Sequence, residues 1–292
     1  MDQAQNLRNV IKLKNQNSKQ KARVITVTSG KGGVGKSNVT VNLAVQLHKL
    51  GQKVVIFDAD FGLANVEVMF GAIPQYNLGD LLYRGKRLGD IMTQGPEGVS
   101  FISGGSGIAG VNNLASSQVH YLVKCMEELD GLADIVLIDT GAGISDRVLE
   151  FVINSPEAVI VTTPDPSSLT DSYSLIKALY RSPGFVKDQT LIGVLSNKVS
   201  STEEGKRVYD KLNSVVSQFL QENLNYIGAI PQDSMLEKAV RQQKPVSLYA
   251  PSSKSAKAFS VVASNILNHE QNQAPVRKGI SELFSNFLGQ KS

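Results

Sequence analysis

At 292 residues, with 41% apolar and 19% charged side chains, the chain is long and apolar enough to bury a sizeable α/β core. Its one cysteine, Cys125, excludes an intrachain disulfide and a metal site built from several thiolates of one chain, and His48, His120 and His269 are too scattered to suggest a cluster. No run of about 18 uninterrupted apolar residues is present and the N-terminal stretch is polar, so a soluble, cytoplasmic protein is expected. The net charge of +4 is concentrated at the ends: residues 1–23 carry +5 and residues 271–292 carry +2, which leaves −3 for the body. A nucleic-acid groove across that body is therefore not expected.

Residues 1–22 are rich in Gln, Asn and Lys, and only Leu7, Val10 and Ile11 form a helical cluster, the composition of a segment that is flexible alone. From Arg23 onward, short apolar runs rich in β-branched residues alternate with helical spacing. "RVITVTSG", "KVVIFDAD", "VSFISGG", "DIVLIDTG", "EAVIVTTP", "TLIGVLSN" and "NYIGAIP" read as buried strands. Ser37–Leu50, Ser116–Leu129, Ser167–Tyr180 and Glu203–Asn223 read as helices. This order predicts one domain over residues 23–269, a doubly wound, mostly parallel sheet of about seven or eight strands flanked by helices. The polar "EQNQAPV" that begins at residue 270 then leads to a separate C-terminal helix, within residues 270–292.

The first strand runs into Gly30 to Ser37, "GKGGVGKS", which satisfies the phosphate-loop pattern in its required setting between a strand and a helix. The backbone of Gly30, Lys31, Gly32, Gly33, Val34, Gly35 and Lys36, continuing to Ser37 and Asn38, is expected to close around phosphates. In that arrangement Lys36 reaches the β- and γ-phosphates and Ser37 holds Mg²⁺. Lys31 is a second lysine that the simple loop does not need. The pattern KGGxGK[ST] is the deviant Walker A motif and resembles the MinD/ParA family of ATPases. That resemblance implies that Lys31 contacts phosphates held by the other subunit of an ATP-dependent homodimer, adding positive charge to the transferring phosphoryl group.

Further along, "FDADFGLANVEVMFG" resembles the family's first switch region. Asp58 is expected near Mg²⁺, and Asp60 in position to orient or activate the attacking water. "DIVLIDTGAG" supplies Asp139 after an apolar strand, a Walker B position for water-mediated metal binding. The residues after it, Thr140 to Gly143, depart from the family's usual Ser-Pro-Ala-Gly. The resemblance further implies that Asn197 contacts adenine and that Pro231 and Asp233 line the base pocket. Ser200 breaks the guanine-reading N-K-x-D pattern, which favours ATP.

Both tails carry signals of their own. Ile280, Leu283, Phe284, Phe287 and Leu288 follow i, i+3, i+4, i+7, i+8 spacing, an apolar arc on a helix too short to span a bilayer. It resembles the membrane-targeting helix of the MinD group and implies reversible attachment to the inner face of the cell membrane, with the core-packed terminal helix as its alternative. "DQAQNLR", Asp2 to Arg8, resembles the start of the flagellar FlhG (YlxH, FleN) group of MinD-like ATPases. The resemblance implies that Asp2, Gln3, Leu7 and Arg8 engage the GTPase FlhF, with Gln3 reaching its catalytic site, and that C-ring components of the flagellum are further partners. The expectation is a slow, dimer-dependent ATPase governing flagellar number and placement. Its rivals are MinD-type division-site positioning, DNA partitioning and a metabolic ligase or reductase.

Overall fold

The computed structural model describes residues 21–61, 65–105, 116–272 and 279–289. Within them the predicted alternation holds. Strands β1 (Arg23–Ser29), β2 (Val54–Ala59), β3 (Met92–Gln94), β4 (Ser100–Ser103), β5 (Ile135–Ala142), β6 (Glu157–Thr162), β7 (Leu191–Val199) and β8 (Asn225–Pro231) form one sheet in the order β3-β4-β2-β5-β1-β6-β7-β8. All neighbours pair parallel except β3, which runs antiparallel to β4 at the edge. β3 is three half-exposed residues long, too short and too polar to stand out in the sequence.

Twelve described helices cover the sheet. On one face lie α1 (Lys36–Lys49), α2 (Asn65–Phe70), α9 (Ser234–Arg241), α10 (Val246–Tyr249) and α11 (Lys254–Asn272), packed on Ile25, Val27, Ile56, Leu137 and Val159. The other face carries α3 (Leu78–Tyr83), α4 (Leu88–Ile91), α5 (Ser116–Leu132), α6 (Asp146–Ile153), α7 (Pro166–Arg181), α8 (Thr202–Leu220) and α12 (Gly279–Gly289). The strands alternate between the two cores: Val24, Val55 and Phe57 belong to the second, Ile25, Val54 and Ile56 to the first. A sheet buried on both faces requires this near-continuous apolar sequence.

The C-terminal helix departs from expectation. Instead of standing apart after a linker, α12 lies along α5, reaches β1 and α6, and completes the second core. Ile280, Leu283, Phe284 and Phe287 are at most 4% exposed and Leu288 is half-buried. Phe287 stacks on Phe151 at 4.9 Å, and Phe284 meets Phe57 edge-on at 5.3 Å. Its N-terminus is held by Asp130 of α5, whose carboxylate accepts from the N–H of Ile280 (2.8 Å), the N–H of Ser281 (3.2 Å) and the Ser281 hydroxyl (2.6 Å). These bonds satisfy backbone donors that a helix start leaves open. Gly279 enters with φ +68, and a Cβ there would sit 2.6 Å from Asp130 Oδ2, so the approach requires glycine. The apolar arc read from the sequence is real, but it faces the protein's own core. Burying four such side chains contributes on the order of 6–12 kcal/mol before the entropy of ordering is subtracted. Among the described residues no helix is long and apolar enough to cross a membrane.

Candidate nucleotide site

The sheet register assembles the site. β1 is central, flanked by β5 and β6, so the loop leaving its carboxyl end lies beside the ends of both. Asp58 on β2 pairs in register with Asp139 on β5, and Asp139 with Val27 on β1. Residues 103 positions apart in the chain thereby meet: Lys36 Nζ donates to Asp139 Oδ1 at 2.9 Å, in a pair that is almost wholly buried. Thr40 donates to the same oxygen at 2.9 Å. Asp139 Oδ2 is buried with no hydrogen-bond partner, an orphaned acceptor at the place where the sequence predicts a metal.

Asp58 is nearly buried, and its oxygens accept from the N–H of Asp60 (3.1 Å) and of Val66 (3.2 Å). Burial, reinforced by the Asp139 charge, pushes its carboxyl up to about 7, against the opposing pull of those N–H groups and Lys36. Asp60 is half-buried, its carboxyl also raised by burial, and it accepts from Asn65 Nδ2 at 3.0 Å. Three carboxylates against one buried lysine make a site that favours a divalent cation. Among the described residues no set of three or more His, Cys, Asp or Glu could chelate one unaided. The arrangement therefore fits Mg²⁺, which is ordinarily held by one or two carboxylates together with phosphate and water. Ser37, beside Lys36 on the cavity wall, completes the expected donor set.

This cavity, about 620 Å³, is lined by the loop from Lys31 to Asn38 and by Asp60, Thr140, Gly141 and Ala142. Phe61, Arg147 and Phe151 also line it, and the sequence reading missed them. Phe61 follows Asp60 directly, which is a weak signal; nothing local in the sequence marks Arg147 or Phe151. The Arg147 guanidinium lies over the Phe61 ring at 5.2 Å, and Phe61 packs near Phe151 at 6.4 Å. Phe151 thus touches both the nucleotide cavity and the docked α12.

The loop is braced from β7. Asn197 donates from Nδ2 to the Val34 carbonyl at 2.7 Å, and Lys198 donates to the Gly33 carbonyl at 2.8 Å. Lys198 takes the left-handed conformation (φ +57) at a bulge between Asn197 and Val199, which turns its side chain toward the loop. Gly35 has φ +93, and a Cβ there would lie 2.6 Å from Asn197 Nδ2. A second cavity of about 520 Å³ opens at the ends of β6, β7 and β8, lined by Lys31, Thr163, Asp165, Lys198, Glu204 and Gln232 among others.

Pro231 and Asp233, expected to line a base pocket, stand at the end of β8. Asp233 caps α9, accepting from Met235 N–H at 2.9 Å, while its other oxygen accepts from the N–H and hydroxyl of Ser255 at 3.0 and 2.8 Å. Both oxygens are committed to structure, and neither Asp233 nor Pro231 lines either cavity; Gln232 between them does. Asn197, buried, faces the loop it braces.

Lys31 does not reach the buried carboxylates. Its Nζ pairs with Asp165 Oδ2 at 2.8 Å and donates to the Ser167 hydroxyl, at the start of α7. Asp2, Gln3, Leu7 and Arg8 lie outside the described residues.

Comparison with known proteins agrees with this geometry. Residues 20–267 match the ParA family, described as "NUBPL iron-transfer P-loop NTPase". The antiactivator FleN of Pseudomonas aeruginosa is 39% identical over 254 residues, spanning 87% of this chain and 89% of that protein. The flagellum site-determining protein YlxH of Helicobacter pylori is 33% identical over 294 residues, 98% of each chain. Among solved structures, the septum site-determining protein MinD of Pyrococcus horikoshii, complexed with Mg-ADP, has a TM-score of 0.66 and 26% identity, covering 87% of this chain and 100% of that one. The iron transfer named in that family description finds no thiolate cluster here, because the single cysteine, Cys125, is buried in the second core.

Proposed function

The chain belongs to the MinD/ParA family of P-loop ATPases, as an FlhG-like member, and on that premise we propose an ATP- and Mg²⁺-dependent dimerising switch that sets flagellar number and placement. The observation that carries this reading is the division of labour between the two loop lysines. Lys36 is turned inward onto Asp139, whereas Lys31 sits at the outer rim, about one-third exposed.

When a triphosphate enters the first cavity, Lys36 exchanges Asp139 for phosphate oxygens. Asp139, Asp58 and Ser37 would hold Mg²⁺, and the ion when bound would supply screening of the phosphate charge. Asp60 orients the attacking water. The missing positive charge on the transferring group comes from Lys31 of a second copy, so hydrolysis waits for dimerisation. The base lies toward the second cavity, between Lys198 and Gln232.

The relative YlxH, named as a flagellum site-determining protein, supports the flagellar assignment. On this reading residues 1–22 engage FlhF and stimulate its GTPase through Gln3, and C-ring components receive the ATP-bound form. Membrane attachment uses the apolar face of α12 after it leaves its groove beside α5, and two helices in one dimer raise the avidity of an individually weak anchor. The test is GTP hydrolysis by FlhF with the full-length protein and with its Gln3→Ala variant. The reading expects stimulation that the variant loses; no stimulation by the intact protein removes FlhF as a partner and leaves the ATPase assignment standing.

A further inference from the structure

Among the described residues three cations line the nucleotide cavity: Lys31, Lys36 and Arg147. Lys36 is paired with Asp139 and Lys31 with Asp165, but Arg147 forms no ion pair among the described residues. Its guanidinium lies instead over the ring of Phe61, 5.2 Å from the centroid. That ring is itself wedged in place: a Cβ on Gly104 would stand 2.5 Å from Phe61 Cδ1, and Phe151 packs near it at 6.4 Å. Stacking on an aromatic face orients an arginine and leaves its planar fork of N–H donors free for a ligand. Arg147 is also the second residue of α6, after the N-cap Ser145, where the helix dipole disfavours a cation. The first turn of α6 abuts the carboxylate that the reading above gives to the attacking water. Gly141 lies between them, since a Cβ on it would stand 3.4 Å from Asp60 Oδ1 and 3.8 Å from Val148 Cγ2. A guanidinium without an anionic partner thus stands at the end of the cavity where the terminal phosphate would lie.

We propose that Arg147 contacts the terminal phosphate of ATP bound to its own chain and so adds to the affinity for triphosphate over diphosphate. The proposal rests on the placement of ATP in this cavity. Recognition of phosphate by a guanidinium is charge-assisted and commonly bidentate, and hydrogen bonds to charged groups change a binding constant by about 10- to 150-fold. Arg147 is half-buried, so the lower part of that range applies. Its contact is made in the ground state and adds to that of Lys36. The charge that hydrolysis draws from Lys31 of a second copy is still required.

The test is equilibrium binding of a hydrolysis-resistant ATP analogue and of ADP, each with Mg²⁺, to the full-length wild type, Arg147→Met and Arg147→Lys over a range of protein concentrations. Methionine keeps a straight apolar stem over Phe61 without the charge, and lysine keeps the charge without the fork. Analogue binding is expected to weaken by about 10-fold or more in Arg147→Met at every protein concentration, while ADP binding stays within about twofold and Arg147→Lys falls between. Equal loss for both nucleotides would mean that Arg147 only supports the cavity wall, and unchanged binding of both that it only covers Phe61; either result overturns the proposal. So does a loss that appears only as protein concentration rises, which assigns Arg147 to the contact between copies. A wild type that binds neither nucleotide sinks the ATP reading itself, and the proposal with it.

Discussion

Asp58 and Asp139 stand side by side on β2 and β5 with Lys36 as their only buried cation among the described residues, and this imbalance makes the site sensitive to pH. The Asp58 carboxyl ionises near 4 in an unfolded chain and at about 7 in the folded, nucleotide-free protein. Between those values the folded protein keeps a proton that the unfolded chain has released. Stability therefore falls as pH rises from about 4 to 7 and levels off above, by on the order of 2–4 kcal/mol. Thermal unfolding of the nucleotide-free protein from about pH 5 to 8 measures this slope, which Asp58→Asn flattens; a slope that survives the substitution assigns it to other groups. At Asp60, substitution by alanine is expected to slow ATP hydrolysis by about 10²- to 10⁴-fold while nucleotide binding persists, as single-turnover kinetics and equilibrium binding together would report. Most of these residues were legible because each belongs to a short local motif next to a strand end. The hydrogen bonding of Asp233 was not, since the partner of its second oxygen, Ser255, lies 22 residues away. Arg147 and Phe151 were silent because the lining of a cavity is a property of packing.

At the scale of elements, α12 shows where pattern stops being informative. An apolar arc at i, i+3, i+4, i+7 serves a core and a lipid interface equally well. The choice is made by Asp130, 150 residues away in the chain, and by the ring of Phe151. A docked helix predicts that Phe287→Ala lowers stability by about 3–5 kcal/mol, as for a buried aromatic; a helix free in solution predicts almost no change in chemical denaturation. Asp130→Ala removes the acceptor for two backbone N–H groups and is expected to cost about 1 kcal/mol or more. Because that loss favours the undocked helix, the same variant should bind anionic vesicles more strongly than the wild type without nucleotide, as co-sedimentation would show. Equal binding would mean that the groove does not compete with the membrane. The long helix α11 was overlooked for a related reason: Ser, Lys and Asn dilute its stripe of Ala256, Phe259, Val262, Ala263 and Ile266.

For the whole molecule, the alternation of strands and helices was enough to predict a doubly wound parallel sheet, because doubly buried strands must be apolar almost throughout. Strand order was not legible. It is the placement of β1 between β5 and β6 that gathers the loop, Asp58, Asp139 and Asp165 at one edge. At that edge the proposed catalytic site is finished by a second copy. ATP hydrolysis per protomer, followed over a broad range of protein concentration for the wild type and for Lys31→Ala, tests it most directly. Specific activity should rise with concentration toward a plateau and be lost in the variant at every concentration. Activity independent of concentration, or retained without Lys31, would contradict it.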